Sequence, residues 1–158
     1  MNRKHHLSAI FALIAIDIVI KLIIDHYFME TKFIFGNLIG FTPYLNTTQL
    51  SIFNNELALG VSTGALIALN LLLIPVIPIT YRWLNKDQEL GQSIHISEDL
   101  LLAGTVCSLL DKVFWSGSLD YLFFLNLWII DLKDIYLFGA VVLVFYCGIK
   151  YEIDQHKS

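Results

Sequence analysis

The sequence predicts an all-α integral membrane protein with four transmembrane helices and a small extracytoplasmic β-sheet, or cradle, between helices 1 and 2. Hydrophobic residues make up 56% of the 158 residues and charged residues only 15%, whereas about 25% charged residues are usual in soluble domains. The mean hydropathy is +0.67. The apolar residues also fall into runs close to the roughly 20 residues that a helix needs to cross a bilayer. These observations exclude a soluble globular domain.

The apolar runs predict a single membrane domain over residues 1–158. The four spans are expected at about residues 7–28, 57–81, 97–115 and 134–151. The first run is too long for a secretory signal peptide, and no small-residue cleavage site follows it, so we expect it to be retained. In the second span, Gly60 and Gly64 lie four residues apart, a spacing that predicts close approach to another helix.

The segment between the first two spans, about residues 30–55, is predicted to form the sheet. Residues 33–37 and 47–53 combine β-branched and aromatic side chains with partial alternation. Three turn-favouring residues punctuate these runs: Gly40, Pro43 and Asn46. Because an open sheet edge cannot face lipid, we expect the sheet to lie at the membrane interface.

The charge distribution predicts the orientation. The Lys and Arg residues on the side of both termini outnumber those on the other side. The first group is Arg3, Lys4, Arg82, Lys86, Lys150 and Lys157, and the second is Lys32, Lys112 and Lys133. The positive-inside rule therefore places both termini in the cytoplasm and the sheet outside.

The remaining composition narrows the function classes. A net charge of −4 indicates neither nucleic-acid binding nor a basic membrane-surface patch. Cys107 and Cys147 both fall inside apolar helices, so we expect buried thiols rather than a disulfide. The two cysteines and the scattered histidines form no zinc motif, so no metal is predicted, and no cofactor is predicted either.

Ionisable residues at the ends of apolar runs are the candidate functional residues, since burying them is costly. Asp111 lies near the outer end of the third span, and Asp134 begins the fourth. Two carboxylates in a water-poor site can share one proton and activate a water, so these two are the predicted catalytic pair. A capping role stays open for Asp134, because the helix dipole favours a carboxylate at a helix N-terminus.

Other polar residues are candidates for support of this site. Asp17 and Lys21 are spaced i, i+4 and can pair on one helix face, either to fix helix packing or to support the site. Asn54 lies where the sheet segment re-enters the membrane, as a helix cap or as a hydrogen-bonding partner of a substrate backbone. Asp120 and Asp131 are further acids in the same outer region.

Five short blocks resemble, in order, the motifs of the lipoprotein signal peptidase (signal peptidase II) family. Residues 17–21 match Asp-Gln-x-x-Lys with the Gln replaced. Residues 54–59 match Asn-x-Gly-x-Ala-Phe, keeping Asn and Ala but placing Glu56 where the family has Gly. The resemblance covers nearly the whole chain.

The other three blocks lie in the second half of the chain. Residues 103–112 match Gly-Gly-Ala-x-Gly-Asn-x-x-Asp-Arg, where the Asp is Asp111. Residues 118–121 resemble Val-x-Asp-Phe through Asp120. Residues 130–134 align with Phe-Asn-x-Ala-Asp and keep only the last Asp. Among the family residues replaced in these blocks are Asn by Ser108, Arg by Lys112, Asn by Asp131 and Ala by Lys133.

The resemblance implies an aspartic, metal-free intramembrane peptidase with Asp111 and Asp134 as its dyad. Its implied substrates are prolipoproteins whose lipobox cysteine carries diacylglycerol, cut just before that cysteine. The implied setting is the bacterial cytoplasmic (inner) membrane, with membrane lipid as a partner, cyclic-peptide inhibitors and a monomeric state. The residues implied in substrate binding and support are Asn54, Ser108, Lys112, Asp17, Lys21 and Asp131.

The departures from the motifs leave two alternatives open. Lys112 lacks the bidentate fork of Arg, Ser108 has a shorter arm than Asn, and Lys133 adds a charge beside the dyad. A divergent relative that binds lipoproteins or lipids without cutting them is the first alternative. A proton-coupled carrier using Asp17 and Asp111 is the second, although small size and the absence of repeated halves argue against it. A dyad needs its oxygens within hydrogen-bond reach, directly or through one water.

Overall fold

Four long helices form the frame of the protein, whose computed structural model describes residues 3–33, 38–47, 61–85, 91–124 and 128–156. The helices are α1 (Arg3–Tyr27), α2 (Thr63–Leu84), α3 (Gly91–Phe114) and α4 (Leu132–Gln155). Each is long and apolar enough to cross a membrane. The predicted four-span class is therefore confirmed.

Helices α1 and α3 run parallel. His6 of α1 contacts Asp99 of α3 at 3.0 Å, and Lys21 contacts Asp111 at 2.7 Å. Since the residue numbers rise together along both helices, their N-termini lie at the same end of the bundle.

Helices α2 and α4 run in the opposite direction. Tyr81, near the C-terminal end of α2, hydrogen-bonds Ser97 of α3 at 2.6 Å, while Asn70 donates to Ser108 at 3.4 Å. Ser97 also donates to the carbonyl of Ala140 on α4 at 2.8 Å. The first turn of α4 contacts the C-terminal half of α3. Helix α3 therefore touches each of the other three helices.

The outer faces of the helices are apolar, and charged side chains are buried between them. Phe11 is 78% exposed and Phe138 71%, whereas Asp17, Lys21 and Asp111 are 0% exposed. A soluble protein buries its apolar side chains and leaves charges in water. The inverted arrangement fits helices surrounded by hydrocarbon.

A four-stranded antiparallel sheet caps one end of the bundle. Its strands are β1 (Lys32–Phe33), β2 (Ile39–Asn46), β3 (Ser118–Phe124) and β4 (Trp128–Ile130), in the order β1-β2-β3-β4. The predicted small sheet is confirmed, but only β1 and β2 lie between α1 and α2. The other half comes from the link between α3 and α4. The apolar run in that link is too short for the spacing of its hydrophobic residues to distinguish a strand from a helix.

The residues predicted to punctuate the strands lie inside β2. The pairing of β2 with β3 shifts its register between Phe41 and Tyr44, and Pro43 falls within that irregularity. Proline has no backbone N–H to donate to the ladder, so a bulge accommodates it. Much of the two predicted strand runs, residues 34–37 and 48–53, lies outside the described residues.

The observed helix ends differ from the predicted ones. The predicted start of the second span, residues 57–60, lies outside the described residues, and α2 begins after the cap Ser62, whose side chain accepts from the N–H of Ala65 at 3.3 Å. Helix α3 starts earlier than predicted, at Gly91. Its first turns are polar in sequence, but Ser97 is buried against neighbouring helices and hydrogen-bonded there, so the helix continues through them.

Close helix approach occurs at a different glycine from those predicted. A Cβ added to Gly64 would have no atom of the described residues within 4 Å, and Gly60 lies outside those residues. At Gly104 an added Cβ would lie 2.7 Å from Cδ2 of Leu137 and 3.3 Å from the carbonyl oxygen of Lys133. The prediction for Gly64 is therefore wrong, and the close contact lies between α3 and α4.

Gly117 fixes the approach of β3 to β2. An added Cβ would lie 2.3 Å from the carbonyl oxygen of Asn46 and 3.0 Å from Cα of Thr47. The preceding residue, Ser116, has a positive φ of 54°. The turn from α3 into β3 therefore depends on a residue without a side chain at position 117.

We expect Gly117→Ala to lower the free energy of unfolding by about 1–3 kcal/mol, because the backbone of β2 must shift to admit the methyl group. The matched control is Gly148→Ala on α4, where an added Cβ meets no atom of the described part of the chain within 4 Å. That change should be neutral or stabilising by up to about 1 kcal/mol, as expected for Gly→Ala within a helix. Thermal unfolding in detergent measures both, and equal stabilities would contradict this role of Gly117.

Candidate active site

A buried cluster of charged and polar side chains lies where α1, α3 and α4 meet the sheet. We call it the charged centre. Its members are Asp17 and Lys21 on α1, Asp111 on α3, Ser118 and Asp120 on β3, and Asp131, Lys133 and Asp134 at the start of α4. The cluster brings together residues far apart in sequence, which is typical of a functional site.

Lys21 joins three elements through its ammonium group. Its Nζ lies 3.0 Å from Oδ2 of Asp17, 2.7 Å from each oxygen of Asp111 and 2.6 Å from Oδ2 of Asp131. All four side chains are 0% exposed. The ion pair expected from the i, i+4 spacing of Asp17 and Lys21 is present, and it extends to two further carboxylates.

Lys133 is a second buried ammonium on the other side of the same carboxylates. Its Nζ lies 2.5 Å from Oδ2 of Asp131, 2.6 Å from Oγ of Ser118 and 3.1 Å from Oδ2 of Asp111. Oδ1 of Asp120 is 3.7 Å away. A buried ammonium is stable only with compensating charge and hydrogen bonds, and here three carboxylates and a hydroxyl supply them.

Asp131 caps α4 and forms ion pairs with both Lys21 and Lys133. Its Oδ1 accepts from the N–H of Asp134 at 3.1 Å, and Oδ2 of Asp134 accepts from the N–H of Asp131 at 3.2 Å, which forms a capping box. Burial alone would raise the pKa of Asp131, but Lys133 and Lys21 outweigh it and hold that pKa below its ordinary value. Asp131 is therefore an ionised structural carboxylate, and Asp134 completes the box as the third helical residue.

The carboxylate of Asp120 has less positive charge close to it than the carboxylate of Asp131 has. Its Oδ1 accepts from Ser118 Oγ at 2.6 Å, and its Oδ2 accepts from Nδ2 of Asn46 at 3.3 Å. Burial raises the pKa of Asp120 and the negative charge of Asp131 adds to that rise, while Lys133 and the two hydrogen bonds oppose it. The net result is a carboxyl whose pKa lies above its ordinary value.

Asp120 and Asp134 face each other closely enough to act together. One oxygen from each of Asp120, Asp131 and Asp134 lies within 4.8 Å of the others. Two hydrogen bonds of about 2.8 Å each span that distance, so one water can bridge the two carboxyl groups. Asp131 is engaged by both lysines, which leaves Asp120 and Asp134 as the pair available for acid–base chemistry.

Asp111 has a different environment from the one expected of a catalytic acid. Both of its oxygens accept from Lys21, and Oδ2 also contacts Lys133 and lies 3.2 Å from Oγ of Ser118, whose one proton has the nearer acceptor in Asp120. Within the described ranges no hydrogen bond joins it to Asp134. The pairing of Asp111 with Asp134 stays a prediction, and the contacts favour Asp120 as the partner. The fourth sequence block contained Asp120 and was the signal that identifies it.

The remaining predicted support residues form a separate polar group. Lys112 donates to the carbonyl oxygen of Ser108 at 3.2 Å and to its Oγ at 3.0 Å, and Asn70 donates to the same Oγ. Lys112 is only 5% exposed and makes no ion pair in the part of the chain that the structure describes. Asn70 was not predicted from the sequence. Asn54 lies outside the described residues.

The residues of the charged centre also suggest two other chemistries, a metal site and a serine–lysine pair. Three carboxylates this close can hold a divalent cation, but two ammonium groups already occupy the positions around Asp131 that a cation would take. Ser118 and Lys133 lie at the separation of a serine–lysine nucleophile pair. A lysine acts as a base only when neutral, and its carboxylate contacts stabilise the ammonium form.

These features define a four-helix membrane protein with a carboxylate-rich centre at the sheet end of its bundle. The chain belongs to the Signal peptidase (SPase) II family, Peptidase_A8, whose model matches residues 9–150. Membership makes the protein a peptidase with a lipoprotein signal peptidase role, and it confirms the resemblance found in the sequence blocks.

Comparison with solved structures supports the same fold. One, described as a bacterial membrane enzyme determined in meso at 2.3 Å resolution, has a TM-score of 0.73 and 15% sequence identity, covering 94% of this chain and 89% of that chain. A second, described in the same words at 1.9 Å resolution, has a TM-score of 0.70 and 17% identity, covering 94% of each. Comparison with curated proteins gives no match.

We expect Lys21→Met to lower the free energy of unfolding by about 3–5 kcal/mol, because it leaves buried carboxylates without their ammonium. The matched control is Lys150→Met at an exposed position of α4, expected within about 0.5 kcal/mol of wild type. Unfolding in detergent, followed by circular dichroism, gives both values.

Combining Lys21→Met with Asp131→Asn tests whether the effect is electrostatic. The second change removes one of the unpaired charges, so the double variant should lose less stability than the sum of the two single variants. Additive losses, or a Lys21→Met protein as stable as wild type, would contradict the role of Lys21.

Proposed function

We propose that the protein is an intramembrane aspartic endopeptidase that removes signal peptides from diacylglyceryl-modified prolipoproteins, cutting just before the lipidated cysteine. The observation that carries the proposal is the close approach of the Asp120 and Asp134 carboxyl groups at the end of a transmembrane bundle. Family membership supplies the substrate class.

We propose Asp120 and Asp134, rather than Asp111 and Asp134, as the reacting pair. A catalytic pair must hold a water between its carboxyl groups, and carboxylate oxygens already bound by two ammonium groups are poorly placed to do so. Asp111 is in that position, in contact with Lys21 and Lys133. Asp120 receives one distant ammonium and two neutral hydrogen bonds, so it can accept and release a proton.

The reaction follows from one ionised and one protonated carboxyl group. The oxygen of a water held between them bonds to the scissile carbonyl carbon, and one water proton passes to Asp120. Asp134 gives its proton to the carbonyl oxygen. When the tetrahedral intermediate collapses, the C–N bond breaks, Asp120 gives its proton to the leaving amine, and a hydroxyl proton of the intermediate returns to Asp134. The products are the signal peptide carboxylic acid and the free amine of the cysteine, and both aspartates are restored.

The surroundings suit a substrate that is part peptide and part lipid. The sheet that carries Asp120 exposes large apolar side chains, including Leu45 at 41%, which pairs with Leu119, and Trp128 at 48%. These can lie at the interface against an apolar lipobox, while the acyl chains follow the outer helix faces. Ser108 and Lys112 provide polar groups for the substrate backbone, and Asn54 keeps that predicted role.

We place the protein in a bacterial inner membrane, acting as a monomer without a cofactor and open to the family's cyclic-peptide inhibitors. The excess of Lys and Arg on the side of the termini supports cytoplasmic termini, with the charged centre toward the outer face.

We expect Asp120→Asn and Asp134→Asn each to reduce kcat for a diacylglyceryl-modified prolipoprotein by at least about 100-fold, because each removes a proton-transfer step. Asp111→Asn should retain more of kcat than either, since Asp111 acts as a counter-ion. Asp154→Asn, at an exposed position near the end of α4, is the matched control and should cleave like wild type. Purified proteins in detergent, compared by gel shift of the substrate, give the rates.

Three outcomes would change the assignment. Full loss of cleavage in Asp111→Asn, with near-normal cleavage in Asp120→Asn, would make Asp111 and Asp134 the reacting pair. Cleavage that survives both Asp120→Asn and Asp134→Asn would place the chemistry elsewhere. Saturable substrate binding by wild type with no cleavage would favour the non-catalytic relative.

Orientation can be measured with introduced cysteines, since both native cysteines are buried. We expect a membrane-impermeant thiol reagent added to intact spheroplasts to label Lys32→Cys in β1 and not His156→Cys after α4. Permeabilised cells should show labelling of both. Labelling of His156→Cys alone in intact spheroplasts would reverse the proposed orientation.

A further inference from the structure

Asp131 and Lys133 form one charge-neutral unit inside the charged centre. Both occupy positions where the sequence departs from the Phe-Asn-x-Ala-Asp block, in which the corresponding residues are neutral. Their side chains lie 2.5 Å apart, at 0% and 6% exposure. An extra carboxylate alone would add to the negative charge of the aspartates already buried there, and the ammonium of Lys133 compensates it. The two departures therefore stabilise each other.

The ammonium of Lys133 acts on Asp120 by two routes. It lies 3.7 Å from Oδ1 of Asp120, and it also donates to Ser118 Oγ, which bonds the same Oδ1 at 2.6 Å. With its oxygen accepting from Lys133, the Ser118 hydroxyl has one proton to donate, and Oδ1 of Asp120 at 2.6 Å is nearer than Oδ2 of Asp111 at 3.2 Å. Both routes favour the ionised form of Asp120.

The charge of Lys133 also acts on Asp134, but no cation in the described ranges lies within ion-pair distance of the Asp134 carboxylate. Among the described residues its carboxylate accepts one hydrogen bond, from the backbone N–H of Asp131, and forms no ion pair with Lys133. The two acids of the proposed pair therefore lie in different electrostatic environments, although they are close together. Such a difference assigns a base and an acid in other paired-carboxyl sites.

No other cation in the described ranges takes this role at Asp120. The groups that face this region are Asp17 and Lys21 on α1, Asp111 and Lys112 on α3, Asn46 on β2, Tyr121 on β3, and Asp131 and Asp134 on α4. Lys21 contacts three other carboxylates, and Lys112 bonds to Ser108. Lys133 is the described cation that contacts the Asp120 carboxylate.

We propose that Lys133 is a positioning residue that holds Asp120 as the carboxylate accepting the proton of water and leaves Asp134 to carry the proton, with Asp131 as its counter-ion. This inference rests on the proposed function and adds to it the assignment of the two roles. Lys133 acts through Asp120 and Ser118 and forms no bond to the substrate.

The pH profile of kcat/KM tests the assignment, because its acidic limb reports ionisation of the base in the free enzyme. In wild type, activity falls as the pH drops through the pKa of Asp120. Removing a cation beside a carboxyl group raises its pKa, so Lys133→Met should move the acidic limb upward by about 1–3 pH units. Lys133→Arg keeps the charge and should leave the limb near its wild-type position. Lys150→Met, which removes an exposed distant charge, should not move it.

The double variant Asp131→Asn/Lys133→Met removes both charges of the neutral unit. It preserves the net charge of the centre, so it keeps the test usable if Lys133→Met alone does not fold. Asp131 raises the pKa of Asp120 less than Lys133 lowers it. The acidic limb should therefore move upward by less than in Lys133→Met, and the protein should be more stable than that single variant. An acidic limb that stays in place in both variants, with cleavage intact, would overturn the inference.

An infrared titration makes failure of this inference distinguishable from failure of the proposed function. The carboxylic acid band of Asp120, assigned by its loss in Asp120→Asn, should appear at higher pH in Lys133→Met than in wild type. If wild type cleaves nothing, the proposed function fails and the infrared shift still decides the role of Lys133. If cleavage depends on Asp120 and Asp134 but the band does not shift, only the role of Lys133 fails.

Discussion

An ammonium group buried in a membrane protein must have carboxylates around it, and this constraint organises the sheet end of the bundle. Lys21 brings Asp17, Asp111 and Asp131 to one point, so α1, α3 and the start of α4 are held together by charge. In lipid, apolar contacts alone do little to select one packing arrangement of the helices, because lipid tails are as apolar as the side chains. The ion network therefore fixes the register of the helices that carry the site.

In the proposed function, the same network separates structural acids from reactive ones. Carboxylates that contact two lysines, Asp111 and Asp131, are committed to holding the centre together. Asp120 is delivered by β3 instead, and its position depends on the close backbone approach at Gly117 and on Asn46. Strand and helix thus meet where Asp120 and Asp134 can share a water. The sheet has a catalytic role in this account as well as a place at the interface.

The four spans, the small sheet and the family were predictable from the sequence, because length, hydropathy and ordered motifs are local signals. Half of the sheet was not, since β3 acquires its strand character from pairing with β2, and β4 from pairing with β3. The charged region of the site was also predictable, from ionisable residues at span ends. Which acids the lysines hold was not, because several acids lie within one region and their contacts depend on where Lys21 and Lys133 place their charges. Lys112, the neighbour of Asp111 in sequence, donates to Ser108.

The central claim is that the scissile bond lies between Asp120 and Asp134. A crystal structure grown in a lipid mesophase with an uncleavable diacylglyceryl-peptide analogue would test it most directly. The account predicts that the carbonyl carbon replacing the scissile one lies between these two carboxyl groups, with Asp111 still bound to Lys21 and Lys133. An analogue whose carbonyl lies against Asp111, or away from all three acids, would contradict it.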